Sequence, residues 1–561
     1  LTITATGDMT INGAFLQDGA GAVSTAGDIQ TSSDAITFQS AVTLTGDVLL
    51  RSVAGLITLA STLDGGGNDL VIGAVGDTNQ SIFTGAVSNM GDVTGGTAIT
   101  LNTVGLTDFR STVTGNSGIR QVGGAGSTKF AQDVTLANGL TASNFDGAVI
   151  MDGLDWSNFD GLTIGGLLTI STSDVSINTN DSALTGVGIT GNSLNLTLDV
   201  DSATASFSAL ADGLGTVTLG TNSPVDNGAF NFNAGLTAFG ITTFAGRTHS
   251  VTLNGAGTVS TLTTFNNSGG VTLGGGQTFT GGLNSTVSAN TLVGNVTTTN
   301  SALTLNIANV TNNSTLNAGS GKITLGATSV NDNTTLIAGT GGSGNIEIAS
   351  LAGQAGVVAD SSNVTFNVTG DIDILGSVGT DIGTLTITDS GSTSFTGNVG
   401  TNADRINSFV ITDTTGTVSF ANDLFATTLT VGAQPFSVTF NGSNTAVTNA
   451  VTFANTGSVT LGNQSADALT FSAGIVHTAG DTSIGGTLSS ATGSVDLAQV
   501  TLIDDATINT TNQAINIQSV IGSNKDFNLD SGTNQTLFTG SVTGVADLEF
   551  GDGAADAGTY R

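Results

Sequence analysis

The chain has no cysteine, so no disulfide framework and no thiolate metal site can hold it together. That absence leaves the redox compartment open. Tryptophan and tyrosine occur once each, and proline twice, in 561 residues. A string of sandwich modules would carry aromatic hallmarks in each module and Pro-rich linkers between them, so this composition argues against such a string. Lysine and arginine total 9 against 42 acidic residues, a formal net charge of −33. The basic residues, such as Arg51, Lys129, Arg247, Lys322 and Arg405, stand far apart. Nucleic acid and anionic lipid both require clustered positive charge, so neither is expected as a partner. Good surface helix formers are scarce for the same reason. No apolar run approaches the roughly 20 residues of a membrane-crossing helix, so no direct membrane insertion is expected, and Leu1 does not open a signal peptide. A start without Met reads as a processed chain or an internal segment.

What is abundant points to strands. The 81 glycines, with much Thr, Asn, Ser and Val, suit short strands joined by tight turns, because Gly and Asn accept positive φ and Thr and Val fit a pleated surface. Hydrophobic residues make up 38% of the chain, and the mean hydropathy is +0.25. Together with 26 phenylalanines in patterned places, this is too apolar for a disordered polar chain.

Two internal repeats organise the sequence. One is apolar-Thr-apolar-Gly, at Leu162–Gly165, Val217–Gly220, Val271–Gly274, Ile323–Gly326 and Val459–Gly462. Its first four copies are 55, 54 and 52 residues apart, a soft period of two or three coils. The other is Phe-x-Gly-x-apolar, beginning at Phe83, Phe145, Phe279, Phe395 and Phe538, with looser copies at Phe38, Phe109 and Phe130. Phe83, Phe109 and Phe130 are spaced by 26 and 21 residues, about one coil of a parallel β-helix. Alternation of apolar and polar residues, as in Leu303-Thr304-Leu305-Asn306-Ile307, marks strands with one buried face.

The fold class expected is therefore all-β: a long, single-stranded, right-handed parallel β-helix, or β-solenoid, forming an elongated rod. It is expected to run over 1–561 as one continuous repeat region and to be a segment of a longer chain. At ~20 residues per coil and ~4.8 Å between rungs, the length corresponds to roughly 28 rungs and about 130 Å.

These motifs, with Gly67-Asn68-Asp69-Leu70-Val71-Ile72, resemble the degenerate repeats of filamentous-haemagglutinin-like and autotransporter-passenger proteins, large exported bacterial surface proteins built on right-handed β-helices. The resemblance extends over essentially the whole chain. It implies an extracellular or cell-surface location, outer-membrane associated through regions outside this segment, and an adhesive or structural role.

Candidate sites are few. Asp152, Asp155, Trp156 and Asp160 bring three carboxylates and the sole Trp into one stretch. Paired carboxylates could serve a polysaccharide-acting β-helix as acid and base while an indole stacks on a sugar, so this stretch is the candidate glycan contact; ordinary turn and packing roles compete with that reading. Asp64-Gly65-Gly66-Gly67-Asn68-Asp69 is similar to a calcium-binding β-roll nonapeptide, but it stands alone and reads better as a turn. Asp64, Asp69, Asp371 and Asp373 are retained as weak metal candidates, with calcium the only cofactor in view; Asp199 with Asp201 and Asp504 with Asp505 are weaker pairs. His249 and His477 lack any nucleophile motif and read as surface residues. The function expected is a non-enzymatic structural or adhesive fibre: a rod-like spacer, or a filament or surface-layer component. Its partners would be neighbouring copies, end to end or laterally, or surface glycans of a host or neighbouring cell. The polysaccharide-acting enzyme is the alternative.

Overall fold

A computed structural model describes the chain except residues 94–95, 123–125, 137–140, 154, 159, 225, 355–360, 380, 552–558 and 561. The described residues form 63 strands and no helix. The chain comprises two compact units, Leu1–Gly281 and Gly282–Arg561. Each is a parallel β-solenoid; the two together make about 25 turns.

In the first turns of the first unit each turn supplies three strands; farther along, one long strand such as Leu162–Ile170 pairs with two strands of the turn before, Ser143–Phe145 and Ala148–Met151. Thr2–Ile3, Met9–Ile11 and Phe15–Gln17 pair in parallel, one turn on, with Val23–Thr25, Ile29–Thr31 and Ile36–Phe38. Alternate residues point inward, so positions in register stack into ladders. One runs Phe38, Leu59, Phe83, Phe109, Phe130, Met151, Ile170, all buried. The rings of Phe83 and Phe109 stack at 4.6 Å, and those of Phe109 and Phe130 at 5.2 Å. The three faces share one interior: Phe130, Phe145 and Trp156 come from different faces and meet edge-to-face at 5.1–5.9 Å.

The second unit repeats the plan. Leu283, Leu303, Ile323, Ile346 and Ile372 form one buried ladder. Phe395, Phe420 and Phe440 stack at 5.0 Å in another, with interplanar angles of 7° and 2°. Outward positions pair like with like, as Thr304 with Thr324 and Thr439 with Thr460.

Some positions at the ladder ends are less covered than those one turn in. Met9 in the first turn is partly exposed, whereas its ladder partner Ile29 is fully buried; Phe550 is 39% exposed, while Leu529, one turn earlier, is at 0%.

The Gly of the Phe-x-Gly motif has a steric cause. A Cβ at Gly85 would lie 2.5 Å from the carbonyl carbon of Ser61, and one at Gly397 would lie 2.5 Å from that of Gly376, because the corner passes directly over the preceding turn. Both prolines, Pro224 and Pro435, fall outside the strands, where no ladder hydrogen bond needs their missing N–H.

Two expectations require correction. Turns vary in length: Asn300 reaches Ser320 across 20 residues, but Lys322 reaches Glu347 across 25 and Asn333 reaches Ser361 across 28. Longer loops reduce the turn number below the 28 expected. Nor does the period near 53 residues trace a ladder. Leu162 stacks between Ser143 and Leu184, whereas Val217 stacks between Leu196 and Ile241 on another face. The apolar-Thr-apolar-Gly motif ends some strands, as at Val217, and opens others, as at Leu162 and Ile323, so it specifies a strand without specifying its face.

Phe109→Ala should cost about 3–5 kcal/mol, because it removes a ring held between two others. In a nearest-neighbour array the loss should also be local. Hydrogen exchange should show weakened protection in the turns carrying Phe83 and Phe130 and little change in the second unit; a uniform loss across both units would count against nearest-neighbour stabilisation.

Candidate functional site

Several acidic and amide side chains sit just before an inward strand residue, where the ladder of backbone bonds begins. Ile346 donates its N–H to the Asp371 carbonyl, while the Asp371 N–H returns to Asn345 Oδ1 at 3.1 Å. The pattern continues one turn on: Ile372 donates to the Ser392 carbonyl, and Ser392 donates to Asp371 Oδ1 at 2.9 Å. The same reciprocal clamp joins Asp8 to Asp28, Asp47 to Asp69, Asp174 to Asn195, Asn398 to Asp423 and Asp505 to Asp526. The side-chain oxygen supplies an acceptor where the chain has turned out of strand geometry, so an N–H that would otherwise lack a partner is satisfied.

The four metal candidates take different structural roles. Asp371 belongs to the clamp just described. Asp373 lies on the next outward position and accepts the Ser394 hydroxyl at 2.6 Å. Asp64 accepts the Gly66 N–H at 3.0 Å and the Asn89 amide at 2.9 Å, closing a turn in which Gly66 and Gly67 have φ of 57° and 81°. Asp69 donates its N–H to Asp47. Burial pushes its carboxyl up to about 6, and the charges of Asp47 and Asp92 add to the rise. Among the described residues, no three acidic or imidazole side chains form a group that could hold a metal ion. In the Asp504–Asp505 pair, Asp504 binds Lys525 at 2.8 Å and Asp505 receives the Asp526 N–H.

The stretch from Asp152 to Asp160 does not assemble as a cleft with a stacking platform. Trp156 has no exposed surface: its strand, Asp155–Asn158, points it into the core between Val134 and Ile177, so its ring cannot take a sugar. Strand alternation is the reason, since the position next to an outward Asp155 must face inward. Asp152 binds Lys129 at 2.9 Å and receives the Thr172 hydroxyl at 2.6 Å. Partial burial pushes its carboxyl up, but those hydrogen bonds and the Lys129 charge hold it below its ordinary value. Asp160 accepts the Thr141 N–H through Oδ2. Leu154 and Phe159, in the same stretch, lie outside the described residues. Asp155 is exposed and, with Asp174, lines an open groove of about 370 Å³ that also includes Ser176, Asn195, Thr197 and Thr218. No family model, no curated protein and no solved structure matches the chain.

The histidines are in the interior, contrary to the surface reading. His249 and His477 are both at 0% exposure. His249 packs edge-to-face on Phe230 at 5.5 Å, neither ring nitrogen has a hydrogen-bond partner, and burial lowers its pKa to about 4. His477 Nδ1 lies 2.8 Å from the Thr482 hydroxyl, and burial is the main cause of its lowered pKa. An imidazole can occupy an apolar ladder position when it stays neutral, which the sequence pattern alone does not reveal.

Two measurements follow from this geometry. Asp371→Ala should destabilise by about 1–2 kcal/mol, through loss of the acceptor for Ser392, whereas Asp371→Asn should be close to neutral because an amide oxygen still accepts. Equal losses in denaturant melts of the two variants would instead implicate the charge. The second concerns pH. Between about 4 and the ordinary 6.5, the unfolded chain takes a proton on His249 that the folded chain refuses, so this residue lowers stability as the pH falls through that window. Asp69 acts oppositely, because the folded carboxyl holds its proton up to about 6 and the unfolded one only to 3.8. His249→Leu should therefore gain stability relative to the parent as the pH drops from 7 to 4.5, and Asp69→Asn should gain more at pH 7 than at pH 5. Midpoints that track the parent at every pH would rule out both assignments.

Proposed function

We propose that the chain is a non-enzymatic structural or adhesive component of an extracellular or cell-surface fibre: a rod-like spacer, or a filament or surface-layer subunit that associates through its ends or sides. The observation carrying this reading is the ladder architecture itself. Inward positions repeat one buried stack, outward positions repeat hydroxyls and amides, and the corner carboxylates of Asp371, Asp423 and Asp505 join one turn to the next. A scaffold of this kind gains its properties from turn number rather than from one cleft. The resemblance to filamentous-haemagglutinin-like repeats supports the same role, with outer-membrane attachment through regions outside this segment and neighbouring copies or surface glycans as partners. Small-angle scattering and sedimentation over a concentration series test it. An extended particle that self-associates at higher concentration is expected; a compact monomeric globule at all concentrations would overturn the proposal.

The groove beside Asp155 and Asp174 favours a second reading, a polysaccharide-acting enzyme, since two carboxylates line one open concavity. Cleavage of a neutral glycan that disappears in Asp155→Asn would establish it. Absence of turnover on a broad glycan panel would leave the fibre.

A further inference from the structure

In the first unit the corner around Asp199, Asp201 and Asp226 differs from the others. All three side chains are almost completely buried, at 7%, 8% and 1% exposure. At the clamps of Asp371 and Asp505 a side-chain oxygen receives a neighbouring N–H. Here Asp226 Oδ2 receives the Thr221 N–H, but Oδ1 is buried without any hydrogen-bond partner. The carboxylate is wedged over Gly220, where a Cβ would lie 2.2 Å from Oδ2, so the backbone has been left bare to admit it.

The neighbouring charges are unfavourable. Asp199 receives the Asn178 amide on Oδ2 at 3.0 Å and the Asp201 N–H on Oδ1 at 3.4 Å, and Asp201 faces the charge of Asp181. Arg247 acts on Asp226 at a distance, but its Nη2 donates to the carbonyl and side-chain oxygen of Asn222, at 3.0 and 3.1 Å, instead of to the carboxylate. A buried anion with a free oxygen next to other buried anions needs a positive partner or a proton. Burial, with Asp199 and Asp201 contributing, raises Asp226 to about 6 against the opposing Thr221 hydrogen bond and Arg247 charge.

The geometry points to a divalent cation site at this corner, with Asp226 Oδ1 and the Asp199 carboxylate as anionic ligands, completed by water and neutral oxygens. Oxygen-only donors select a hard cation, and the irregular corner suits calcium better than the strict octahedron of magnesium. Two carboxylates suffice for this set, so it does not require three acidic side chains to converge. The site is distinct from the stretches around Asp64 and Asp371, because here Asp226 Oδ1 is buried and receives no donor. The assignment holds whether the chain is a fibre or an enzyme.

Calorimetric titration of the EDTA-treated full chain with CaCl2 at pH 7.5, paired with thermal unfolding, tests it. A calcium-binding step is expected, with a rise in unfolding temperature that shrinks at pH 5 as protons compete. Asp226→Asn should weaken that step at least tenfold, while Asp505→Asn, at a clamp in the second unit, should leave it unchanged. If Asp226→Asn does not fold, Asp199→Asn gives the same readout. Absence of a calcium effect, or an effect that survives both Asp226→Asn and Asp199→Asn, would overturn the assignment. So would an Asp226→Asn variant that is stabilised in EDTA while the parent ignores calcium, because the partner of Asp226 would then be a proton.

Discussion

The structure depends on burial between consecutive turns. A single turn offers two or three strands with a few inward residues in all, too few to offset the entropy of ordering some twenty residues. Stacking changes this. Phe109 is fully buried because Phe83 and Phe130 cover its two ring faces, and the same residue type at the same phase recurs in Phe395, Phe420 and Phe440. Met9 and Phe550 show the converse, since these two side chains at ladder ends stay partly open.

The polar groups solve the complementary problem. A chain that turns three corners per coil repeatedly leaves strand geometry, and each departure threatens to orphan an N–H. An Asp or Asn before the strand supplies the acceptor, and because it reaches the adjacent turn it also fixes register. This explains how a chain can carry so many carboxylates without an active centre being their common purpose. The strong acidity and the clamp are linked, since Asp and Asn serve equally as acceptors while Asp adds charge that opposes lateral aggregation of the sheets.

The fold was legible because its main signal is periodic. Phe83, Phe109 and Phe130 stand one coil apart in sequence and one rung apart in space, and strand alternation gave the inward faces. What was not legible was phase between faces: Leu162 and Val217 carry the same motif on different ladders, because nothing in four residues encodes which side of the coil they occupy. The candidate stretch failed for a related reason. Asp155 and Trp156 are adjacent, and in a strand adjacency means opposite faces, so the indole had to turn inward once the carboxylate faced water. The clamps were in view as an Asp or Asn immediately before an apolar strand residue, in Asp28-Ile29, Asp47-Val48, Asp174-Val175, Asn345-Ile346 and Asp371-Ile372, but that signal gains meaning only when the copies are aligned by turn. Burial of His249 and the free oxygen of Asp226 had no local signature, because each depends on residues one coil away.

The corner clamps have an evolutionary consequence. Because Asp371 donates its N–H to the turn before and accepts an N–H from the turn after, a full coil can be lost or duplicated and the remaining chain still presents an Asx oxygen to an N–H at the junction. Removing three residues from within a strand offers no such continuity, since it reverses which side chains face inward along the remainder of that strand. Natural length variation in such a chain would therefore be graded by phase, with whole coils exchanged freely and short slips eliminated.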